Sequence, residues 1–120
     1  MNSIKSHKDL HIWRKGMDIT EAIFRLVKSF PKEEKDILTN QMKRCALSIP
    51  SNIAEGFGRN SNRSFIYFLA IARGSLYELE TQLLLAERFH YIKDVQLLHT
   101  ILLQIQEEGK MINAFSKTLH

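Results

Sequence analysis

The sequence predicts an all-α protein folded as an antiparallel up-down-up-down four-helix bundle. Apolar residues recur at three- and four-residue spacing along four long segments, the period of a helix with one buried face. The 120 residues include only five Gly and two Pro, few for an all-β chain with its many tight turns. The connections between segments are short, which makes consecutive helices antiparallel neighbours. The length suits one domain over residues 1–120, with residues 1–8 expected as a flexible N-terminal tail.

The first helix is expected from Asp9, a candidate N-cap, to Ser29, with Pro31 forcing the exit. It carries two adjacent apolar seams. One is Leu10, Trp13, Met17, Thr20, Phe24 and Val27; the other is Ile12, Gly16, Ile19, Ile23, Leu26 and Phe30. Together they span roughly twice the ~100° stripe of a simple surface helix.

The second helix is expected from Lys32 to Gly56, with Glu33, Glu34 and Asp36 in its first turns, where the helix dipole favours negative charge. Pro50 lies inside it and predicts a kink near Ala46–Pro50. Its core stripe is Leu38, Met42, Cys45, Ala46, Ile49, Ile53 and Phe57. Opposite runs a polar ridge of Gln41, Arg44, Ser48, Ser51 or Asn52, and Glu55, richer in short hydrogen-bonding side chains than an ordinary solvated face.

The third helix is expected from Ser61 or Asn62 to Phe89, with a core seam of Phe65, Phe68, Leu69, Ala72, Leu76, Leu79, Leu83 and Ala86. Tyr67, Ile71, Leu85 and Phe89 lie on its other side. The fourth runs from an Asp94 N-cap to Thr118 on one stripe of Leu98, Ile101, Leu102, Ile105, Ile112, Phe115 and Leu119, with charged residues elsewhere. Surplus apolar surface on the first and third helices predicts a second buried surface, most economically a homo-oligomer interface. Arg73, Ser75 and Glu78 sit among apolar neighbours, and the expected ion pairs join Arg73 or Arg44 to Glu55 or Glu78.

Composition narrows function. The single Cys45 forms no intrachain disulfide and suits a reducing cytoplasm. No apolar run approaches the ~20 residues of a membrane helix, and the polar N-terminus lacks the apolar stretch of a secretory signal. Gly56-Phe57-Gly58-Arg59 lacks the spacing of a phosphate loop. Cys45 lies on an apolar stripe and reads as a small buried hydrophobe. His7 and His11 lack the remainder of a zinc motif. Glu87 and His90 supply only one of the two Glu-x-x-His motifs that a di-iron bundle needs. No catalytic residues, metal or cofactor are assigned.

Nucleic acid is the favoured partner class. The formal net charge is +4. Residues 1–30 hold six Lys or Arg against three Asp or Glu, residues 31–60 five against four, and the second half is balanced. The expected phosphate contacts are Arg14, Lys15, Arg25, Lys28, Lys43, Arg44, Arg59 and Arg63, the last two in a Gly-, Asn- and Ser-rich connection. Gln41, Ser48, Asn52, Glu55, Arg73, Ser75 and Glu78 are expected to form a structural polar network or a subunit interface. The alternative is a protein–protein adaptor docking through the second helix or the exposed apolar surface.

The segment Gln41 to Gly56, with Ser48-Ile49-Pro50-Ser51-Asn52-Ile53-Ala54-Glu55-Gly56 at its centre, resembles the signature of four-helix-bundle proteins encoded in 23S rRNA intervening sequences. Leu10-His11-Ile12-Trp13 and the run Phe68 to Glu80 resemble that family too. The resemblance implies a bacterial cytoplasmic homopentamer associated with rRNA and brings no active site. A related branch, the accessory proteins of diversity-generating retroelements, implies nucleic-acid and reverse-transcriptase partners, although +4 is a modest charge for that branch.

Overall fold

A computed structural model describes residues 4–120, with the backbone alone for residues 34–36. Four α-helices make up the fold, and the described residues contain no strand. They are α1 (His11–Leu26), α2 (Asn40–Gly58), α3 (Asn62–Arg88) and α4 (Val95–Lys117). The molecule measures 46 × 25 × 20 Å.

Contacts between named residues fix the directions. Gly16 of α1 lies beside Ile49 and Pro50 of α2, Thr20 beside Ala46, and Phe24 beside Lys43, so partner numbers fall as α1 advances. Ser48 with Ser75 and Gly56 with Phe65 give the same antiparallel order for α2 and α3. Lys15 with Glu107 and Gly16 with Glu108 tie α1 to α4; Phe65 with Phe115 and Arg73 with Asn113 tie α3 to α4. The arrangement is therefore up-down-up-down, with α1 and α3 parallel on one diagonal.

One core cluster fills the centre. Ile19, Ile23, Met42, Ile49, Ile53, Leu69, Leu76, Leu79, Leu83, Leu98, Ile101 and Ile112 are its largest fully buried side chains. The core seam of α3 is buried except at half-exposed Phe68. On α1 the second seam is buried, whereas Trp13 and Phe24 of the first are half-buried and Met17 is exposed.

The helix starts differ from expectation. Asp9 does not cap α1. Its carboxylate turns back to accept from the Lys5 and Ser6 backbone N–H groups, closing a capping box with Ser6 around a 3-10 turn at His7–Asp9. Leu10 is the N-cap residue of α1 and offers no side-chain bond; its side chain is buried in the core instead. The expected tail thus carries ordered hydrogen bonds from Lys5 onward, and residues 1–3 lie outside the described residues. The second helix also starts late. Lys32–Glu34 forms a 3-10 turn and Lys35–Thr39 a π turn before α2. Of the described side chains ahead of Thr39, Lys32, Glu33 and Ile37 are exposed and Leu38 alone packs on the core, which leaves little to enforce α geometry. The expected acidic first turn falls partly at Glu34 and Asp36, whose side chains lie outside the described residues. Asp94 caps α4 as expected, accepting from the Leu97 backbone N–H, and Ser61 caps α3 by accepting from that of Ser64.

α2 continues through Pro50. Proline has no N–H to donate to the carbonyl one turn back, at Ala46. The Thr20 hydroxyl of α1 occupies that place, 3.0 Å from the Ala46 oxygen and 2.8 Å from the Gly16 oxygen.

Candidate nucleic-acid interface

The antiparallel order gathers the N-termini of α1 and α3 and the C-termini of α2 and α4 at one pole. Phe57, Phe65 and Phe115 stack edge to face there, at 6.1 and 5.4 Å, and Asn62 Nδ2 donates to the Leu119 carbonyl at 3.2 Å. Around this apolar plug lie exposed Lys5, Lys8, Arg14, Arg59, Arg63 and Lys117, beside Asp9 and Glu55, with Lys110 on α4 and Asp18 on α1 each two turns further along the bundle. Asp9 and Glu55 are engaged locally. Asp9 accepts the two backbone bonds of the capping box, which hold its carboxyl below the usual carboxylate range. Glu55 pairs with Arg59 at 2.7 Å. Arg59 also lies 5.0 Å over the Phe68 ring, and Arg14 Nε donates to the Lys8 carbonyl at 2.9 Å, so two of these guanidinium groups are held in place.

The eight expected phosphate contacts do not form one patch. Arg14, Arg59 and Arg63 belong to the pole. Lys15 is half-buried and paired with Glu107 at 2.8 Å. Arg25, Lys28 and Lys43 gather nearer the opposite end, around Phe24, with Lys43 Nζ 5.1 Å over its ring. Arg44 faces a depression between α2 and α3.

That depression holds the polar ridge. Ser48 Oγ and Ser75 Oγ lie 2.8 Å apart, and Asn52 Nδ2 donates to both the carbonyl and the hydroxyl of Ser48, each at 2.8 Å. Cys45 Sγ–H donates to the Ser75 carbonyl at 3.1 Å, while Gln41, Arg44 and Glu78 line the rim. Burial, then the neighbouring Glu78 carboxylate, pushes the Cys45 thiol up to about 12. A thiol held so far from ionisation is no nucleophile. The expected ion pairs are replaced. Arg73 Nη1 donates to Asn113 Oδ1 on α4 at 2.7 Å, because its position on α3 faces α4 rather than α2, and Glu55 pairs one turn along its own helix with Arg59. Among the described residues the ion pairs are Lys15–Glu107 and Arg59–Glu55.

A family model described as 23S rRNA-intervening sequence protein matches residues 8–114. The chain belongs to that family. A solved structure from Bacteroides thetaiotaomicron, a protein of unknown function from the S23 ribosomal protein family, is similar at 29% identity and a TM-score of 0.78, covering 88% of this chain and 95% of its own. No curated protein matches.

In this member of the 23S rRNA-intervening sequence family, the signature segment does structural work at both ends. Ser48 bonds to Ser75 on α3, and Asn52 holds the Ser48 hydroxyl from one turn along α2. At Gly56 a Cβ would lie 2.9 Å from Phe65 Cδ1 and 2.9 Å from Phe68 Cβ, so only glycine lets α2 close on α3 there.

One feature escaped the sequence reading. Glu108 is fully buried in the α4 stripe, where charged residues were expected to lie elsewhere, and neither carboxylate oxygen has a hydrogen-bond partner. A Cβ on Gly16 would sit 3.4 Å from its Oε2. Burial pushes the carboxyl up to about 8, opposed by Lys15. The signal was available: 101, 105, 108 and 112 share one helix face. Among the described residues no three His, Cys, Asp or Glu converge as a metal site needs, and no helix is long and apolar enough to cross a membrane.

Proposed function

We propose that this chain is a non-enzymatic, cytoplasmic RNA-binding subunit that assembles with copies of itself and holds structured RNA, in first place rRNA, through its basic pole. The observation that supports this reading is the concentration of Lys5, Lys8, Arg14, Arg59, Arg63 and Lys117 at one end of the bundle, where Asp9 and Glu55 are engaged in local bonds. Phosphate oxygens are the natural ligands of such a surface, and binding there is read as shape and backbone rather than sequence. One subunit at +4 is a weak electrostatic footprint. An assembly that points several poles the same way concentrates it.

The test is titration of a structured 23S rRNA fragment with the intact protein across ~50 to 200 mM salt. Affinity is expected to fall steeply with salt. The triple variant Arg14→Gln, Arg59→Gln, Arg63→Gln is expected to weaken binding at least tenfold and to flatten the salt slope by about two to three units. The control Arg88→Gln, Lys93→Gln, at the opposite pole, is expected to bind as the parent does. Equal loss in both variants, or no binding at low salt, overturns the reading.

A protein–protein adaptor, for example an accessory subunit of a reverse transcriptase, is the second reading. It is favoured by the partly open depression lined by Gln41, Arg44, Cys45, Ser48, Ser75 and Glu78. Recovery of the same protein partner after nuclease treatment, lost on Arg44→Ala, would support it.

A further inference from the structure

Arg59, Phe68 and Tyr67 form one stack at the basic pole. The Arg59 guanidinium lies 5.0 Å over the Phe68 ring, and the Tyr67 ring meets Phe68 edge to face at 5.2 Å and 82°. Glu55 pairs with the same guanidinium at 2.7 Å, so the stack is anchored from α2. Phe68 is half-buried, whereas Tyr67 stands outside it and is 62% exposed. Apolar burial stabilises in proportion to the area hidden, so packing within the chain explains little of this ring.

The charges around the ring are positive. From Asn62 to Tyr77, α3 carries Arg63 and Arg73 and no acidic residue. Arg63 precedes Tyr67 by one turn on the same outer row, ~6 Å along the axis. It is exposed and makes no ion pair among the described residues. The two acids of the pole are turned elsewhere, Glu55 to Arg59 and Asp9 to the capping box. Ala70 and Gly74 follow Tyr67 on its row, both exposed and too small to cover the ring. An aromatic face therefore stands open with a free guanidinium one turn away. An unpaired nucleotide has the matching parts, a flat base and a phosphate. A duplex offers its phosphates to the arginines but keeps its bases stacked inside, out of reach of the ring.

We infer that Tyr67 is a stacking platform for one unpaired nucleobase, with Arg63 on the adjoining phosphate and the Arg59–Phe68 pair holding the ring from behind. The inference rests on the RNA binding of the proposed function and narrows its ligand to a structured RNA that opens into a single strand at the pole. Every base has a π face, so stacking of this kind tolerates any base and brings no sequence preference. The platform is separable from the charges beside it: stacking needs the ring and changes little with salt, whereas phosphate contacts need the guanidinium groups and weaken with salt.

The test compares two RNA hairpins with the same stem, one blunt and one carrying a single-stranded overhang of about six uridines. The parent is expected to bind the overhang form more tightly. Tyr67→Ala is expected to lose about five- to a hundredfold on the overhang form and to bind the blunt hairpin as the parent does, with salt slope, helicity and melting temperature unchanged. Tyr67→Phe is expected to bind as the parent does, because the ring and not the hydroxyl carries the contact. In Tyr67→Trp the added indole emission is expected to be quenched by the overhang form and not by the blunt one, read against the Trp13 signal of the parent. A parent that binds both hairpins equally, a Tyr67→Ala variant that keeps the parent's affinity for the overhang, or an equal loss on both hairpins overturns the platform and leaves phosphate binding at the pole standing. A Tyr67→Ala chain whose mass in solution falls while its RNA binding is unchanged assigns the ring to a protein contact and also overturns the platform. A parent that binds neither hairpin overturns the RNA-binding pole and the platform together.

Discussion

The Thr20 hydroxyl lies 3.0 Å from the carbonyl oxygen of Ala46, the acceptor that Pro50 cannot serve. A buried acceptor left unmatched costs about 1–3 kcal/mol, and here the single hydroxyl proton of Thr20, shared with the Gly16 carbonyl at 2.8 Å, supplies part of the missing donor. Thr20→Val is therefore expected to lower unfolding free energy by about that amount, whereas Thr20→Ser keeps the bond and costs less. Combining Thr20→Val with Pro50→Ala returns an N–H to the helix and is expected to recover part of the loss. A double-mutant cycle by chemical denaturation measures the coupling, and strict additivity would show that the two groups are independent.

Glycines separate by what a methyl group would meet. At Gly16 it would lie 3.2 Å from Ile49 Cγ2 and 3.4 Å from the Pro50 nitrogen; at Gly56 it would lie 2.9 Å from two phenylalanine side-chain atoms. Gly→Ala favours an exposed helix by about 1 kcal/mol. The expected order of melting temperature is Gly74→Ala above the parent, Gly16→Ala below it and Gly56→Ala lowest. Thermal unfolding of the three variants, at a concentration where all are single chains, checks the order.

Glu108 makes stability depend on pH. Burial holds its folded-state pKa at about 8, well above the ordinary value of a glutamate carboxyl, so the folded chain binds the proton more tightly. The stabilisation is complete below the unfolded pKa and is lost as pH rises toward the folded one, with a slope of at most ~1.4 kcal/mol per pH unit. Denaturation midpoints are expected to fall from pH 5 to 8 and then level. In Glu108→Gln this decline is expected to be absent; a decline as steep as the parent's would assign it to other groups.

Cys45 is expected to resist thiol reagents. With the thiol at about 12 and its proton engaged by the Ser75 carbonyl, the native chain holds little thiolate near pH 8. Labelling with an aromatic disulfide is expected to be at least ~100-fold slower than for the unfolded chain. Comparable rates would mean that α2 and α3 separate readily at this site.

Long helices were legible because burial imposes its period on the sequence. α3 and α4 start at Ser61 and Asp94 caps that local chemistry alone makes readable. The beginnings of α1 and α2 were not legible. Asp9 had two sets of backbone donors to choose between, and of the described side chains from Lys32 to Thr39 only Leu38 and Thr39 meet the core. The site was partly legible. Ser48 and Asn52 on the polar ridge, and Ser75 among its apolar neighbours, stood out in the sequence, and Ser48 bonds to both of the others. The partners of Arg73 and Glu55 did not, because which flank of a helix faces which neighbour is a property of the packed bundle.

Sequence by itself determined four amphipathic helices, their antiparallel order and a chain with more apolar surface than one bundle buries, since periodicity and connection length are local quantities. Read along the chain, the positive charge belonged to the first half. Only the tertiary structure moved it to one pole, where Lys117 from the end of the chain joins Arg14, Arg59 and Arg63. The reason is geometric: antiparallel packing brings together residues far apart in the chain, and electrostatic potential sums over distance in space.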